Sequence, residues 1–416
     1  MSTAPQTPLA EINPFDPKVL ADPWDYYRRV RETSPVYRHP QLGIFLISSY
    51  RAVSDVVKNW EAFSNRFGQM MGAQSVPDEV RAIASEGWPP VDTMLTADPP
   101  EQKRFRSLVN KAFSLRRVDG LEPRIREIAR ELLEPLAARG SAEMLTEFAQ
   151  PLPLTVIAEQ LGAPREDLRL FRRWTDGFIA QLSGVADRAG RTEAAKLILE
   201  FQKYFAARLE ERRVTPANDI LSDLVHARVE GERPLDVPEM LSILQQLLVA
   251  GNETTASAIA EGLWLLLRHP DELARARREP ALVENLVEEV LRLSTPTANM
   301  WRVCKKTTEV EGVEIPAGSM CMLRFAAANR DPSHFADPDR FDVGRANARA
   351  HLAFGLGIHH CVGAALARKE LLVAFQVLFE RLDEFRALPG APAPAHKPNM
   401  LLWGLDRLDL ELRGRT

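Results

Sequence analysis

Phe354-Gly355-Leu356-Gly357-Ile358-His359-His360-Cys361-Val362-Gly363 is followed by Ala364-Ala365-Leu366-Ala367-Arg368-Lys369-Glu370-Leu371-Leu372, an apolar-periodic run of strong helix formers. The glycine-rich segment therefore reads as a loop running into a helix N-terminus, with Cys361 on the joint. The dipole and free N–H groups of a helix start stabilise an anion, so the spacing predicts a lowered thiol pKa there. Gly355, Gly357 and Gly363 remove side chains where backbone approaches a flat partner or takes a positive φ. A thiolate in this setting is a nucleophile or a metal ligand. No second cysteine lies nearby, which argues against zinc and iron–sulfur ligation. A haem iron needs only one thiolate.

The pattern Phe-Gly-x-Gly-x-His-x-Cys-x-Gly fixes six positions in ten residues and resembles the haem-ligand loop of the cytochrome P450 family. The resemblance implies that Cys361 is the axial thiolate of haem b, with Phe354, Gly355, His359 and Gly363 around the same group. Such a thiolate pushes electron density to iron and favours O–O cleavage. The competing reading is a glycine-rich turn with a packed core cysteine.

Composition sets the bounds. The 416 residues allow one large domain, and 45% hydrophobic content supports a sizeable core. We read residues 1–416 as a single domain whose first 12 residues are flexible, and expect a monomer. A net charge of −4 gives no reason to expect a nucleic-acid partner. Three cysteines, Cys304, Cys321 and Cys361, suit a reducing compartment better than a disulfide framework. The N-terminus has no basic and apolar signal regions, and no stretch reaches the roughly 18 apolar residues of a membrane span. These features predict a soluble, cytoplasmic protein without a membrane anchor, similar to the soluble bacterial members of the family.

Helical patterns dominate, at 100–113, 121–138, 142–161, 165–182, 189–213, 217–228, 237–268, 271–278 and 281–293. The 237–268 run is long and apolar nearly all round, so it should cross the core. Val36-Tyr37 and Ile44–Ile47 read as a hairpin. Strand patterns return at 299–304, 307–315 and 319–325, and Leu401–Leu412 alternates like a strand. Residues 65–97 read as a long loop. The fold class is mainly α with small β-sheets (α+β). The resemblance implies the cytochrome P450 fold, with a long central helix over the haem.

Inside that helix, Ala250-Gly251-Asn252-Glu253-Thr254-Thr255 places a carboxylate and hydroxyls where they are costly unless satisfied or used. Ala250, Gly251 and Thr254 share one face, and the small residues leave room beside the helix. The segment is similar to the family's distal-helix signature, which implies that Thr254 serves oxygen activation and Glu253 relays protons inward. The plainer reading is a glycine kink, a back-bonded threonine and a salt-bridged glutamate. Glu289-x-x-Arg292 matches the family's structural pair, and Arg340 is read as its third member. By the same resemblance Arg106 and Arg302 hold haem propionates beside His359, while Gln102 stands where many members have histidine.

Substrate contacts are expected at Met94, Gln246, Leu247, Ala298 and Leu401, flanked by Ile243, Met70 and Met71. This aliphatic, sulfur-rich wall suits a hydrophobic small molecule such as a terpenoid, steroid or fatty-acyl chain. Gln246 is either a ligand hydrogen-bonding group or a strut to a neighbouring helix. Arg104, Lys111, Arg116, Arg117, Arg368 and Lys369 suggest a basic patch for an acidic ferredoxin, or merely a solvated face. No nucleotide fingerprint or flavin module is visible, so electrons are expected from a ferredoxin-type partner and its reductase. The resulting expectation is a monooxygenase using O2. Its rivals are a peroxide-driven or isomerising haem-thiolate enzyme and a non-catalytic haem carrier or sensor.

Overall fold

Val237–Arg268 is one unbroken helix of 32 residues. Its start is closed by a capping box: Glu239 N donates to Asp236 Oδ1 (3.0 Å) and Asp236 N donates to Glu239 Oε2 (3.0 Å). Pro238 occupies the first turn, where its missing N–H does no harm. The computed structural model describes residues 7–67, 76–110, 113–183, 187–228 and 231–415. The N-terminal half of the central helix packs among Leu168–Ser183, Arg188–Val214 and Ile220–His226, around Phe171, Trp174, Phe178, Phe201 and Phe205. Its C-terminal half packs against Leu115–Arg139, Val283–Ser294 and the cysteine helix Ala364–Arg381.

The strands lie to one side. They are β1 Val36–Arg38, β2 Phe45–Ile47, β3 Phe63–Ser64, β4 Ser141–Glu143, β5 Asn299–Cys304, β6 Thr308–Val310, β7 Val313–Ile315, β8 Met320–Arg324, β9 Leu382–Ala387 and β10 Asp409–Gly414. They form a five-stranded sheet (β1-β2-β8-β5-β3), a three-stranded sheet (β4-β10-β9) and the β6–β7 hairpin. This is the mainly helical architecture with small sheets that the patterns predict.

Several boundaries differ from expectation. Residues 142–161 are not one helix: β4 pairs with β10, a π-helical turn covers Leu145–Ala149, and the helix runs Pro151–Gln160. The Glu143 carboxylate accepts from Leu145 N (3.1 Å) and from Leu408 N (2.7 Å), a partner 265 residues away. Helix 121–138 starts earlier, at Leu115, and tolerates Pro123 and Pro135. The 65–97 loop contains the helix Asp78–Ser85. The alternation at 401–412 becomes a strand only at β10, and the helix Tyr50–Lys58 and β9 escaped the pattern reading. Of the N-terminal stretch 1–12, residues 1–6 lie outside the described residues; beyond them Arg29 Nη2 donates to Thr7 O (2.6 Å), and His39 Nε2 lies 3.0 Å from Ile12 O.

The Glu289–Arg292 pair is wholly buried, at 2.7 and 2.8 Å. Its third member is Arg345, not Arg340. Arg345 Nε donates to Glu289 Oε1 (3.0 Å) and its Nη atoms reach Ala336 O and Asp337 O. Arg340 is exposed and contributes only its carbonyl, which accepts from Arg292 (3.2 Å) and Arg345 (2.8 Å). Arg292 Nη1 also holds Asn329 O (2.9 Å) and Pro338 O (2.7 Å). The next residue, Glu288, binds Arg368 (2.8 Å) and His351 (3.0 Å). Burial alone raises its carboxyl, but hydrogen bonds from His351 and Arg368 bring it down to about 2.

Removing Arg292 leaves Glu289 buried without its main partner. Arg292→Ala is expected to lose about 3–5 kcal/mol of stability, with Arg345→Ala also destabilised. Arg340→Ala should stay within about 0.5 kcal/mol of wild type. Urea unfolding of the three variants checks this ranking, and a large loss in Arg340→Ala alone would reverse the assignment.

Candidate active site

The cysteine loop is bent by two glycines in left-handed geometry, Gly355 (φ 64°) and Gly357 (φ 67°). A Cβ on Gly357 would sit 3.3 Å from Val57 O, so this loop lies close against the helix Tyr50–Lys58. Cys361 N donates to Phe354 O (2.9 Å), and the Arg368 guanidinium lies 4.5 Å over the Phe354 ring. Cys361 is accessible, yet enough of the molecule surrounds its sulfur that burial raises the thiol pKa. The thiol therefore opens into a recess rather than onto the outer surface. A hydrogen bond from Gly363 and the charges of Arg106 and Arg368 oppose this rise without overcoming it. The lowered pKa expected from the helix start is thus not what the protein alone provides. A stable thiolate here needs a cation on the sulfur, which a metal ion supplies.

Around the recess lie donors in excess of acceptors. Arg302 is 4% exposed, donates to Trp301 O (2.7 Å), and has no carboxylate within ion-pair distance among the described residues. Burial brings its guanidinium down to about 10, with Asp98 the nearest opposing charge. His359 Nδ1 is buried without a hydrogen-bond partner, and burial together with Arg302 pushes the imidazole down to about 4. Arg106 is half-buried and feels both His359 and Cys361. A buried cation without a partner is destabilising. Two guanidiniums, an unsatisfied imidazole and a recessed thiol therefore fit a flat group that carries carboxylates and a metal. Gln102, 1% exposed, donates to Ile358 O (2.7 Å) and so braces the cysteine loop.

On the central helix, Ala250 and Gly251 are both exposed. A Cβ on Gly251 would meet nothing within 4 Å, so the room expected beside the helix is present. Thr254 Oγ1 donates to Ala250 O (2.7 Å). Glu253 is half-exposed and has no salt bridge among the described residues, contrary to the plainer reading. Asn252 is buried with both side-chain polar atoms unpaired. One residue beyond Thr254, Thr255 reaches the buried Glu370 of the cysteine helix, whose carboxyl burial pushes up to about 8. Glu370 was missed in the sequence. Its signal is a lone acid between the apolar positions Leu366 and Ala374.

The expected substrate residues fall into two groups. Met94 and Leu247 are buried with Ile243 in the cluster around the N-terminal half of the central helix. Ala298 and Leu401 belong to the cluster beneath the five-stranded sheet. Gln246 Oε1 accepts from Leu95 N (3.3 Å), so it braces the turn at Leu95 rather than a neighbouring helix. Met70 and Met71 lie outside the described residues, as does Lys111. The rest of the supposed basic patch is mostly paired. Arg104 binds Glu239 (2.8 Å), Arg117 binds Asp223, Arg368 binds Glu288, and Lys369 binds Glu122 (2.7 Å). Only Arg116 among these remains exposed without an acidic partner.

Glu370 sets a pH signature. The fold keeps its proton between about pH 4.5 and about 8, where the unfolded chain releases it. This group's stabilising effect is therefore full on the acid side and lost as pH rises through the folded value. Glu370→Gln, which cannot ionise, is expected to flatten the fall in melting temperature between about pH 5 and 9. A melting profile that falls as steeply as wild type would rule Glu370 out as its source.

A family profile described as cytochrome P450 matches residues 188–404. The 6-deoxyerythronolide B hydroxylase of Saccharopolyspora erythraea is 36% identical over 405 residues, covering 94% of this chain and 96% of that protein. The structure of cytochrome P450 CYP109Q5 from Chondromyces apiculatus superposes with a TM-score of 0.86 at 37% identity, over 98% of this chain and 99% of that one. CYP109E1 from Bacillus megaterium in complex with testosterone superposes with a TM-score of 0.82 at 29% identity, over 94% and 99% of the two chains. Likeness of this extent in sequence and in fold decides the matter that the recessed thiol raised: the chain belongs to the cytochrome P450 family, whose members are monooxygenases that bind haem b.

Proposed function

We propose that this monooxygenase inserts oxygen into a neutral or weakly polar, lipid-like molecule such as a terpenoid, steroid or fatty-acyl chain. The observation supporting the reading is that the residues expected to meet substrate, Met94, Leu247, Ala298 and Leu401, are all apolar and pack in two apolar clusters. The names of two similar proteins, one a hydroxylase of 6-deoxyerythronolide B and one bound to testosterone, support a substrate of this kind. Electrons come from a ferredoxin-type protein and its reductase, since the 416 residues carry no flavin or nucleotide fingerprint. The cytoplasm fits this requirement. Among the described residues no helix is long and apolar enough to cross a membrane.

Haem held in the recess supplies the chemistry of O2 binding and reduction. Cys361 would ligate its metal, and Arg106, Arg302 and His359 would hold its carboxylates. Gln102, Phe354, Gly355 and Gly363 shape the loop on the thiolate side. On the other side Ala250 keeps the helix face low. Thr254 rests with its hydroxyl proton on Ala250 O, which leaves the oxygen lone pairs toward the space beside Gly251. Glu253 carries no ion pair that would have to break, so it is suited to pass protons inward from solvent. This intact acid–alcohol pair favours use of O2 over a peroxide-driven enzyme or a haem carrier.

Two measurements test the proposal. In difference spectra of the haem-loaded protein, testosterone or palmitic acid should displace water from iron and give the high-spin shift. Small, highly charged molecules should give none; a response confined to them would end the apolar-substrate reading. Thr254→Ala should keep its haem content and ligand affinity. It should consume NADH, with ferredoxin and reductase added, about tenfold or more out of proportion to product, releasing peroxide. Unchanged coupling would leave Thr254 as a back-bonded helix residue only.

A further inference from the structure

The chain doubles back on itself between Ala395 and Asp406. Asp406 N donates to Ala395 O (2.9 Å), Lys397 N to Gly404 O (3.1 Å), and His396 faces Leu405 across the ladder. Asn399 Oδ1 accepts from Leu401 N and Leu402 N, both at 2.9 Å, and closes the tip. The result is a small hairpin with Met400–Leu402 at its end. One flank of the tip is tied to β5. Asn299 N donates to Leu401 O (3.2 Å) and Asn299 Nδ2 to Met400 O (2.8 Å), while Trp403 N reaches Pro296 O (2.8 Å).

The base of the hairpin is tied to the central helix. His396 Nε2 lies 2.7 Å from Glu261 Oε1, and Glu261 is 4% exposed. No other side chain hydrogen-bonds this carboxylate among the described residues. The His396 ring also stacks on Trp403, 3.8 Å between centroids and 19° between planes. One turn away, Gly404 meets the helix so closely that a Cβ there would lie 2.5 Å from Ser257 Oγ. Thr254, Ser257 and Glu261 follow the i, i+3, i+7 spacing of one helix stripe. Glu261 thus stands about 10 Å along the helix from Thr254, on the same side.

We propose that Glu261 and His396 are positioning residues for ligand size. Their hydrogen bond seats the hairpin on the stripe that carries Thr254 and so sets how much room the Met400–Leu402 tip leaves above the haem. The inference rests on the monooxygenase reading, in which that tip is part of the substrate wall. It adds the device that holds the wall. A carboxylate buried this deeply destabilises the fold unless it is paired, and the partner it has lies in the hairpin. Asn299, the Thr297–Leu402 bridge and the Trp403–Pro296 bond hold the tip from the sheet side, so loss of the clasp frees the base while leaving those anchors.

The test uses the haem-loaded full chain and two iron-ligating probes. Imidazole is too small to reach the hairpin. Clotrimazole, an imidazole carrying three aryl rings, must press against it. Three forms are compared with wild type: Glu261→Ala, Glu261→Gln, and the pair Glu261→Met with His396→Phe. The pair leaves no unpaired buried charge and keeps a ring on Trp403, so it guards against simple misfolding. In Glu261→Ala and in the pair, amide hydrogen exchange across residues 399–404 should quicken. Clotrimazole should bind about tenfold more weakly while imidazole affinity holds. Glu261→Gln keeps an acceptor for His396 and should restore both. Exchange across 399–404 at the wild-type rate, or clotrimazole and imidazole affinities that move together, would overturn the clasp. A wild-type protein whose reduced carbonmonoxide complex lacks the red-shifted thiolate band would instead overturn the reading on which it rests.

Discussion

The Arg292 guanidinium has no contact with water, and the placing of the cysteine loop follows from that. A buried guanidinium holds its charge only if a carboxylate and several acceptors converge on it. Glu289 supplies the carboxylate. The acceptors are carbonyls of Asn329, Pro338 and Arg340, so the long irregular segment before the cysteine loop is drawn onto one helix. Arg345 adds a second cation to the same carboxylate and gathers Ala336 O and Asp337 O. One residue earlier, Glu288 takes hold of Arg368 and His351, which flank the cysteine loop on either side. Two adjacent carboxylates thus connect one helix to both ends of the thiolate's support.

The recess itself is built on the opposite principle. Where the Glu289 network is closed, the groups about Cys361 are left open. Among the described residues Arg302 has no carboxylate partner and His359 Nδ1 no hydrogen-bond partner, and burial acts against charge on the thiol. Left empty, this arrangement works against the fold, and it becomes favourable when a dicarboxylate with a central metal fills it. Binding and stability are then linked, because a group that binds only the folded state stabilises it. On the central helix a Cβ at Gly251 would meet nothing within 4 Å, and Glu253 has no salt bridge among the described residues.

Much of this was legible in the chain because its signals are local. A ten-residue loop pattern identified Cys361, and apolar periodicity identified the long helix from 237 to 268 to the residue. Strands β5 and β8 lie within the stretches 299–304 and 319–325 that read as strands. The failures share a cause. Ser141–Glu143 read as helix because its strand partner is β10, near the far end of the chain. Arg340 was read as the third member and Arg345 was missed, because both lie in the same irregular segment and only burial tells them apart. The basic patch dissolved because Arg104, Arg117, Arg368 and Lys369 each meet an acid distant in sequence.

The sequence by itself determined the chemistry of the site: one thiolate at a helix start, small residues and a hydroxyl on a buried helix, and cations at family spacing. These depend on residue type and on spacing within one turn or loop, which a linear chain displays. The tertiary structure decided which charges are cancelled and which remain open. Glu289 is closed by Arg345, Glu239 by Arg104 and Glu261 by His396, while Arg302 and Glu253 are left without a salt bridge. The physical reason is that a charge is expensive only where water has been removed. Which side chains lose water together is set by packing between segments 56 to 135 residues apart in these three pairs.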